Sequence, residues 1–276
     1  MKKLYRKYLR QGKLLIAIAV TVVYLIPVLW MYISSFKTER DVYALPPTLI
    51  PNPVTLDPII QTLSSGGIRY FINSMIIGTL STALSLFLSS FTGFALARLK
   101  KRWISAIVLV FLVAQMLPTV LRVTPLFIMF NGVGLINTYI SVILANASLT
   151  IPFSVILLRT TFLATPIEIE EASLIDGCSH IRSFFLISIP MGKPGLAVAG
   201  AMSFVWSFGD FIFSLSFLNK TSMHPATVGL YNFIGAEATS WNNVMAFAGL
   251  TALPLILLFL IFQKQIIQGL STGSFR

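Results

Sequence analysis

The stretch "EIEEASLIDGCSHIRSFFLISIP", Glu168 to Pro190, is the most polar passage between the first and last apolar runs of this sequence. Its reading decides the fold. The 276 residues are 56% hydrophobic and only 11% charged, with a mean hydropathy of +0.85, which exceeds what a soluble core of this size needs. The chain reads as a membrane protein, and the quoted stretch as a soluble-looking pair of short helices between two spans.

The local chemistry of that stretch is specific. Thr165 is placed to cap a helix, Pro166 suits its first position, and Glu168 completes a capping box. The helix then runs through Glu170, Glu171, Ala172, Ser173 and Leu174 to Asp176, where Gly177 supplies the permissive backbone that ends it. Ser179 caps a second helix with Ile181, Phe184, Phe185 and Ile187 at helical spacing, and Pro190 is expected to stop it. Two readings of this elbow stand side by side. It is either a firm knob offered to a partner with a basic groove, or an amphipathic segment lying along the membrane surface. The four acids between Glu168 and Asp176 argue against anionic lipid.

A membrane helix needs about 20 apolar residues, and six runs meet or approach that length: about 14–33, 71–97, 103–121, 135–158, 194–217 and 244–263. The first follows a basic segment, residues 1–13. With twenty apolar residues, Pro27, Trp30 and Tyr32, and no small-residue cleavage site, it reads as a retained anchor rather than a signal peptide. Cationic loops resist translocation, so lysine and arginine set the orientation. Fifteen of the 20 fall at the N-terminus, at 98–102, at Arg159, Arg182 and Lys193, and after the sixth run, at Lys264 and Arg276. The opposite side holds Lys37, Arg40, Arg69 and Lys220, with Arg122 near that face. Both termini and the 166–190 elbow are therefore expected on the cytoplasmic side of a prokaryotic membrane, with 264–276 as a tail.

The net charge of +11 lies in clusters flanking apolar runs, not on a folded basic face, so no nucleic-acid partner is expected. Cys178 alone excludes an internal disulfide, and His180 and His224 are too few and too far apart for a paired metal site. No G-x-x-x-x-G-K-[ST] loop occurs, so the chain cannot hydrolyse ATP by that route. A membrane-embedded enzyme would need clustered acids or histidines near one face, and a secondary transporter an internal repeat and usually more spans. Neither pattern is present, though both classes stay open.

Charges within spans are costly, on the order of 3 kcal/mol or more, and tend to face a cavity or partner. Asp210 and Arg122 are two such charges, either paired with one another or lining a solute route. Gln115, Asn131, Asn146 and Trp206 offer the hydrogen bonds and stacking face that hold a sugar, or else simply bridge packed helices. Outside the spans, Lys37 to Arg69, a mostly irregular segment that includes "LPPTLIPNP" (45–53), and Asn219 to Asn243 read as surface loops.

The stretch also resembles the cytoplasmic coupling loop of ABC importer permeases: E-A-A, three residues, G, nine residues, I-x-L-P. Here Glu171, Ala172 and Ser173 precede Leu174, Ile175 and Asp176, then Gly177, then nine residues to Ile187, Ile189 and Pro190. Ser173 stands for the second alanine and Ile189 for leucine. "INSMIIGTLSTALSLFLSSFTGFALARLK", "LINTYISVILA", "HPATVGLYNFIG" and "IFQKQIIQGLSTGSFR" are similar to the smaller permease subunit of carbohydrate importers of the maltose and multiple-sugar type. "WSFGDF" (206–211) departs from the Trp-Asn-Glu-Phe-like element usual there.

The resemblance implies an all-α permease of the type I importer fold, with six transmembrane helices and a coupling loop, 166–190, between the fourth and fifth. It implies a non-catalytic subunit that binds no cofactor and carries a carbohydrate, an oligosaccharide, or alternatively a non-sugar solute. Its partners would be a second related permease, two ATPase subunits using ATP and Mg, an extracytoplasmic solute-binding protein and membrane lipid. Gly177 would permit the turn and Ala172 would seat the first helix in the partner's groove. Glu171 would pair with a basic ATPase residue or stabilise its own helix N-terminus.

Overall fold

The computed structural model describes residues 2–99, 101–234 and 239–272; Lys100, the centre of the 219–243 loop and the last four residues of the tail lie outside them. The described residues are helical apart from connecting turns and one isolated bridge, Ile234 to Thr239. In chain order the helices are α1 (Lys2–Ser34), α2 (Glu39–Val42), α3 (Asp57–Thr62), α4 (Ile68–Arg98), α5 (Ile104–Met116), α6 (Thr119–Gly132) and α7 (Tyr139–Leu163). They continue with α8 (Ile167–Ile175), α9 (His180–Ser183), α10 (Ile189–Met191), α11 (Lys193–Phe208), α12 (Ile212–Phe217), α13 (Ala226–Asn232) and α14 (Trp241–Thr272).

Among the described residues four helices are long and apolar enough to cross a membrane: Gly12–Ser34, Asp57–Arg98, Tyr139–Leu163 and Trp241–Gln265. Counting two bent pairs as one span each brings the number to six. In the first pair α5 meets α6 at 100°, so the run expected over 103–121 breaks at Leu117 and Pro118, where proline removes a donor. In the second pair the segment His180–Met191 meets α11 at 78°. Pro190 does not stop the second helix of the 166–190 stretch as expected: it lies in the first turn of α10, and the bend falls at Gly192. The run expected over 194–217 is α11 and α12 separated at Gly209 and Asp210. The stretch read as a tail from residue 264 continues α14 to Thr272, and the 219–243 loop contains α13.

The chain divides into two compact units. One comprises residues 1–67 and 230–252. In it α1 lies exposed along its apolar length, as a lipid-facing helix would, while Tyr32 donates to the Gly249 carbonyl at 3.1 Å. Lys37 is 1% exposed, with its ammonium 4.2 Å from the Trp30 ring and donating to the Thr48 carbonyl. The segment expected to be an irregular loop thus holds a fully buried cation, satisfied by a ring face and a carbonyl.

The other unit, residues 68–229 and 253–276, is organised around α4, α7 and α11. Lipid tails are as apolar as leucine, so burial alone does not hold membrane helices together; small residues that let backbones approach do. The buried face of α4 accordingly carries Ser74, Gly78, Ser81, Ser85, Ser89 and Gly93. Ser154 of α7 is 3.1 Å from Ser203 of α11, Ser85 of α4 donates to Ser154 at 3.5 Å, and Ser89 donates to the Ile151 carbonyl at 3.4 Å. At one end of this bundle Ile77, Phe130, Val142, Phe213 and Phe217 form an apolar core; at the other Leu158, Phe162, Phe184 and Ala199 form a second.

Candidate functional site

The elbow, residues 166–190, occupies the end of the bundle where α4 and α7 terminate. α8 begins after Pro166, and no side chain caps it. The capping role expected of Thr165 is not realised, because its hydroxyl donates back to the Thr161 carbonyl at the end of α7, 3.4 Å away. Acidic side chains in the first turn, Glu168 and Glu170, suit its helix dipole instead. The helix ends as expected at Gly177, whose φ of +88° lies in the left-handed region. The amide of Gly177 donates to the Leu174 carbonyl at 3.1 Å and that of Cys178 to the Ser173 carbonyl at 3.0 Å, which completes a Schellman cap. Two residues on, the Ser179 hydroxyl accepts from the Arg182 amide at 3.3 Å and starts α9, again as expected. The chain runs through a π-type turn, Phe184–Ser188, into α10 and then α11.

Each limb has an inner and an outer face. Glu171, Ala172, Asp176 and Gly177 face outward, with Ile175 87% exposed. On the second limb Ile181 and Phe185 are exposed, Ile187 is half-buried, Phe184 is buried and Pro190 is exposed. Ser173, buried, donates to the Glu170 carbonyl at 2.7 Å and lies 2.7 Å from the Ser183 hydroxyl. The residue in place of the motif's second alanine therefore ties the two limbs together, a role beyond simple packing.

The central group of the elbow is one that sequence reasoning missed. Glu170 is 7% exposed and faces Arg98, the last residue of α4. Arg98 Nε donates to Glu170 Oε2 at 2.8 Å and Nη2 to Oε1 at 2.6 Å; the Ser188 hydroxyl donates to Oε1 at 3.0 Å. Nη2 also reaches the Thr165 carbonyl at 3.3 Å. Among the described residues this is the ion pair of the chain. Beside it Phe184 packs on Phe91 and Phe94 of α4, with ring centroids 4.9 Å apart in both cases.

The residues read as lining a solute route are not gathered in this way. Arg122 and Asp210 are not paired with one another. Arg122 is half-buried and donates to the Ala114 carbonyl near the end of α5. The Asp210 carboxylate accepts from the amides of Phe213 and Ser214 at 3.2 and 2.9 Å and from the Ser214 hydroxyl at 2.7 Å, capping α12. Asn146, 1% exposed, has its amide beside that carboxylate but outside hydrogen-bonding geometry. Trp206 is half-buried, edge-on to Phe153 at 5.1 Å, while Gln115 and Asn131 are exposed. A shallow apolar groove along α4, lined by Ile72, Met75, Ile76, Thr79 and Leu80, includes none of these six. No cluster of three or more metal-ligating side chains occurs among the described residues.

A polar network that sequence reasoning also missed lies at the opposite end of the same unit. Asn73 of α4 donates to the Ser222 and His224 carbonyls at 3.0 and 2.9 Å and accepts from Tyr139 at 2.8 Å. The Ser74 hydroxyl accepts from the Ala226 amide at 2.8 Å. These bonds hold the 222–226 segment against α4.

Comparison with known proteins bears on the whole arrangement. The family model described as binding-protein-dependent transport system inner membrane component matches residues 85–272, which include the elbow. The probable ABC transporter permease protein YurM of Bacillus subtilis is 32% identical over 252 residues, 90% of this chain and 82% of that protein. The sulfoquinovosyl glycerol transport system permease protein SmoH of Agrobacterium fabrum is 30% identical over 253 residues, 91% of this chain and 89% of that protein. A crystal structure of a bacterial ABC transporter involved in import of the acidic polysaccharide alginate shares the fold. Its TM-score is 0.79 at 17% identity, covering 92% of this chain and 96% of that one.

Proposed function

This chain belongs to the binding-protein-dependent transport system inner membrane component family, and from that premise we propose that it is the permease subunit of an ATP-driven importer of a carbohydrate, an oligosaccharide. The observation that carries the reading is the elbow. A Schellman-capped turn with exposed Glu171, Ala172, Asp176 and Gly177 outside and a buried Glu170 inside is a rigid projection with one face free. The carbohydrate assignment is supported by relatives described by sulfoquinovosyl glycerol and alginate.

On this reading six spans place both termini and the elbow in the cytoplasm. A second related permease completes the translocation path, and an extracytoplasmic solute-binding protein delivers the sugar. Two partner subunits supply ATP hydrolysis with Mg, since this sequence has no phosphate loop. Closure of those subunits displaces the elbow, and rigid-body rocking exchanges inward and outward states without covalent chemistry in this chain. Gln115, Arg122, Asn131, Asn146, Trp206 and Asp210 are proposed for the solute path on their side-chain chemistry alone.

The test is purification of the tagged chain from native membranes. It is expected to bring down an ATP-binding subunit and a second permease, and depletion of cellular ATP is expected to stop uptake of the sugar that the matching binding protein is found to bind in a thermal-shift screen of oligosaccharides. Absence of any ATP-binding subunit, with uptake intact after ATP depletion, overturns the reading.

A further inference from the structure

A rigid elbow transmits force only if something inside the bundle grips it. The peptide chain is a poor grip here. On one side α8 leaves α7 through Ala164, Thr165 and Pro166, and on the other the second limb reaches α11 only through the 78° bend at Gly192. Side chains do better, and they converge on one helix that is distant in sequence.

The geometry points to Arg98 as the positioning residue that couples the elbow to the bundle: its paired contacts with Glu170, braced by Ser188, make α4 the helix that moves with α8. This inference rests on the coupling role proposed above for 166–190. A guanidinium meeting a carboxylate through two nitrogens fixes angle as well as separation, which a single contact or an apolar patch does not. Both side chains are largely buried, at 16% and 10% exposure, so water does not stand in for either partner when the pair is strained. Ser188 adds the second limb to the same carboxylate oxygen, Oε1, that Arg98 Nη2 engages. Arg98 also lies 5.7 Å over the Phe94 ring, and Phe94 packs on Phe184 of the second limb. Both limbs thus meet the last two turns of α4, which itself runs packed against α7 and α11.

The test uses the complete importer in nanodiscs, with Cys178→Ser and spin labels at Glu168→Cys on α8 and Phe87→Cys on α4, both exposed sites. The pair distance is measured by double electron–electron resonance before and after trapping with MgATP and vanadate. In the parent, α8 and α4 move together and the distance peak stays in place. With Arg98→Gln, Glu170→Gln, or the apolar double substitution Arg98→Met with Glu170→Met, the same amount of ATP-binding subunit copurifies and the peak shifts or broadens on trapping. The charge-swapped pair, Arg98→Glu with Glu170→Arg, returns the parental behaviour.

A parental peak that itself moves on trapping overturns the inference, as do neutral variants that keep the parental peak with the ATP-binding subunit bound. Loss of that subunit from the neutral variants but not from the charge-swapped pair makes the cluster a folding requirement and also overturns it. A parent that copurifies no ATP-binding subunit sinks the functional reading beneath it, an outcome read before any distance is measured.

Discussion

Gly93 is a point of close backbone approach between α4 and α7. A Cβ built there would stand 3.0 Å from the Arg159 amide nitrogen, 3.0 Å from Leu158 Cβ and 3.2 Å from the Leu158 carbonyl carbon. Carbon contacts are comfortable at about 3.5–4.0 Å, so a methyl group must push α4 and α7 apart by a few tenths of an ångström. Backbone cannot rotate out of the way as a side-chain tip can. Even a small separation weakens the dispersion contacts along the interface. Overpacking typically costs about 1–3 kcal/mol, while replacing helical glycine by alanine returns about 0.5–1 kcal/mol. Gly93→Ala is therefore expected to lose about 0–2.5 kcal/mol. Gly93→Val, with two more methyl carbons and a stiff χ1, is expected to lose about 2–4 kcal/mol. Its effect spreads to the elbow, because Arg159 Nε donates to the Leu96 carbonyl at 3.3 Å and Leu158 packs in the core with Phe184. Thermal unfolding of the purified chain in detergent should rank Gly93→Val below Gly93→Ala and both at or below the parent. Gly132→Ala at the exposed end of α6, where an added Cβ meets nothing within 4 Å, serves as the control and should melt at or slightly above the parent. A Gly93→Val protein melting with the parent would refute the close-approach argument.

Three further outcomes follow. Gly177→Pro is expected to abolish uptake while membrane insertion is unchanged, because proline holds φ near about −65° where +88° is required; Gly177→Asn, in open space and tolerant of left-handed backbone, should retain most uptake, and equal behaviour of the two would remove the elbow from the mechanism. Asp210→Ala should lower stability by about 0.5–2 kcal/mol, as loss of a helix cap does, and Asp210→Asn by less; if both melt like the parent yet transport fails, Asp210 serves the solute and not α12. In a Cys178→Ser background, a membrane-impermeant maleimide applied to intact cells should label Lys220→Cys and leave Lys13→Cys untouched, and the reverse pattern would invert the orientation read from lysine and arginine.

What sequence shows and hides here follows from range. The elbow was legible because its determinants are local: a glycine after Asp176 and a serine three residues before the Arg182 amide that it caps. Glu170 was overlooked because its partner is 72 residues away, and Arg98 has an equally good reading as one more cation of a cytoplasmic loop. The break at Pro118 was hidden by the tolerance of membrane helices for proline; composition says that a helix can bend there, and only packing says that it turns by 100°. One available signal went unused. Ser81, Ser85, Ser89 and Gly93 recur every fourth residue in a run otherwise rich in leucine and phenylalanine, which is the spacing of a close helix contact in lipid.

The two charges set within apolar runs make sense together once the breaks are known. Inside hydrocarbon an unsatisfied backbone group costs several kcal/mol, so a helix cannot simply stop there. Where α5 ends, Arg122 reaches back over Pro118 to the Ala114 carbonyl. Where α12 begins, Asp210 takes up the Phe213 and Ser214 amides. The signs follow from the helix dipole, with a cation at a C-terminal end and an anion at an N-terminal one. Each charge costs on the order of 3 kcal/mol to place at depth, comparable with the cost of leaving backbone groups at a break under-satisfied. This is why Arg122 and Asp210 do not pair with one another and bond to backbone at separate breaks. It also gives each break a definite geometry, which α5–α6 and α11–α12 need if they are to rock as rigid pieces rather than fray.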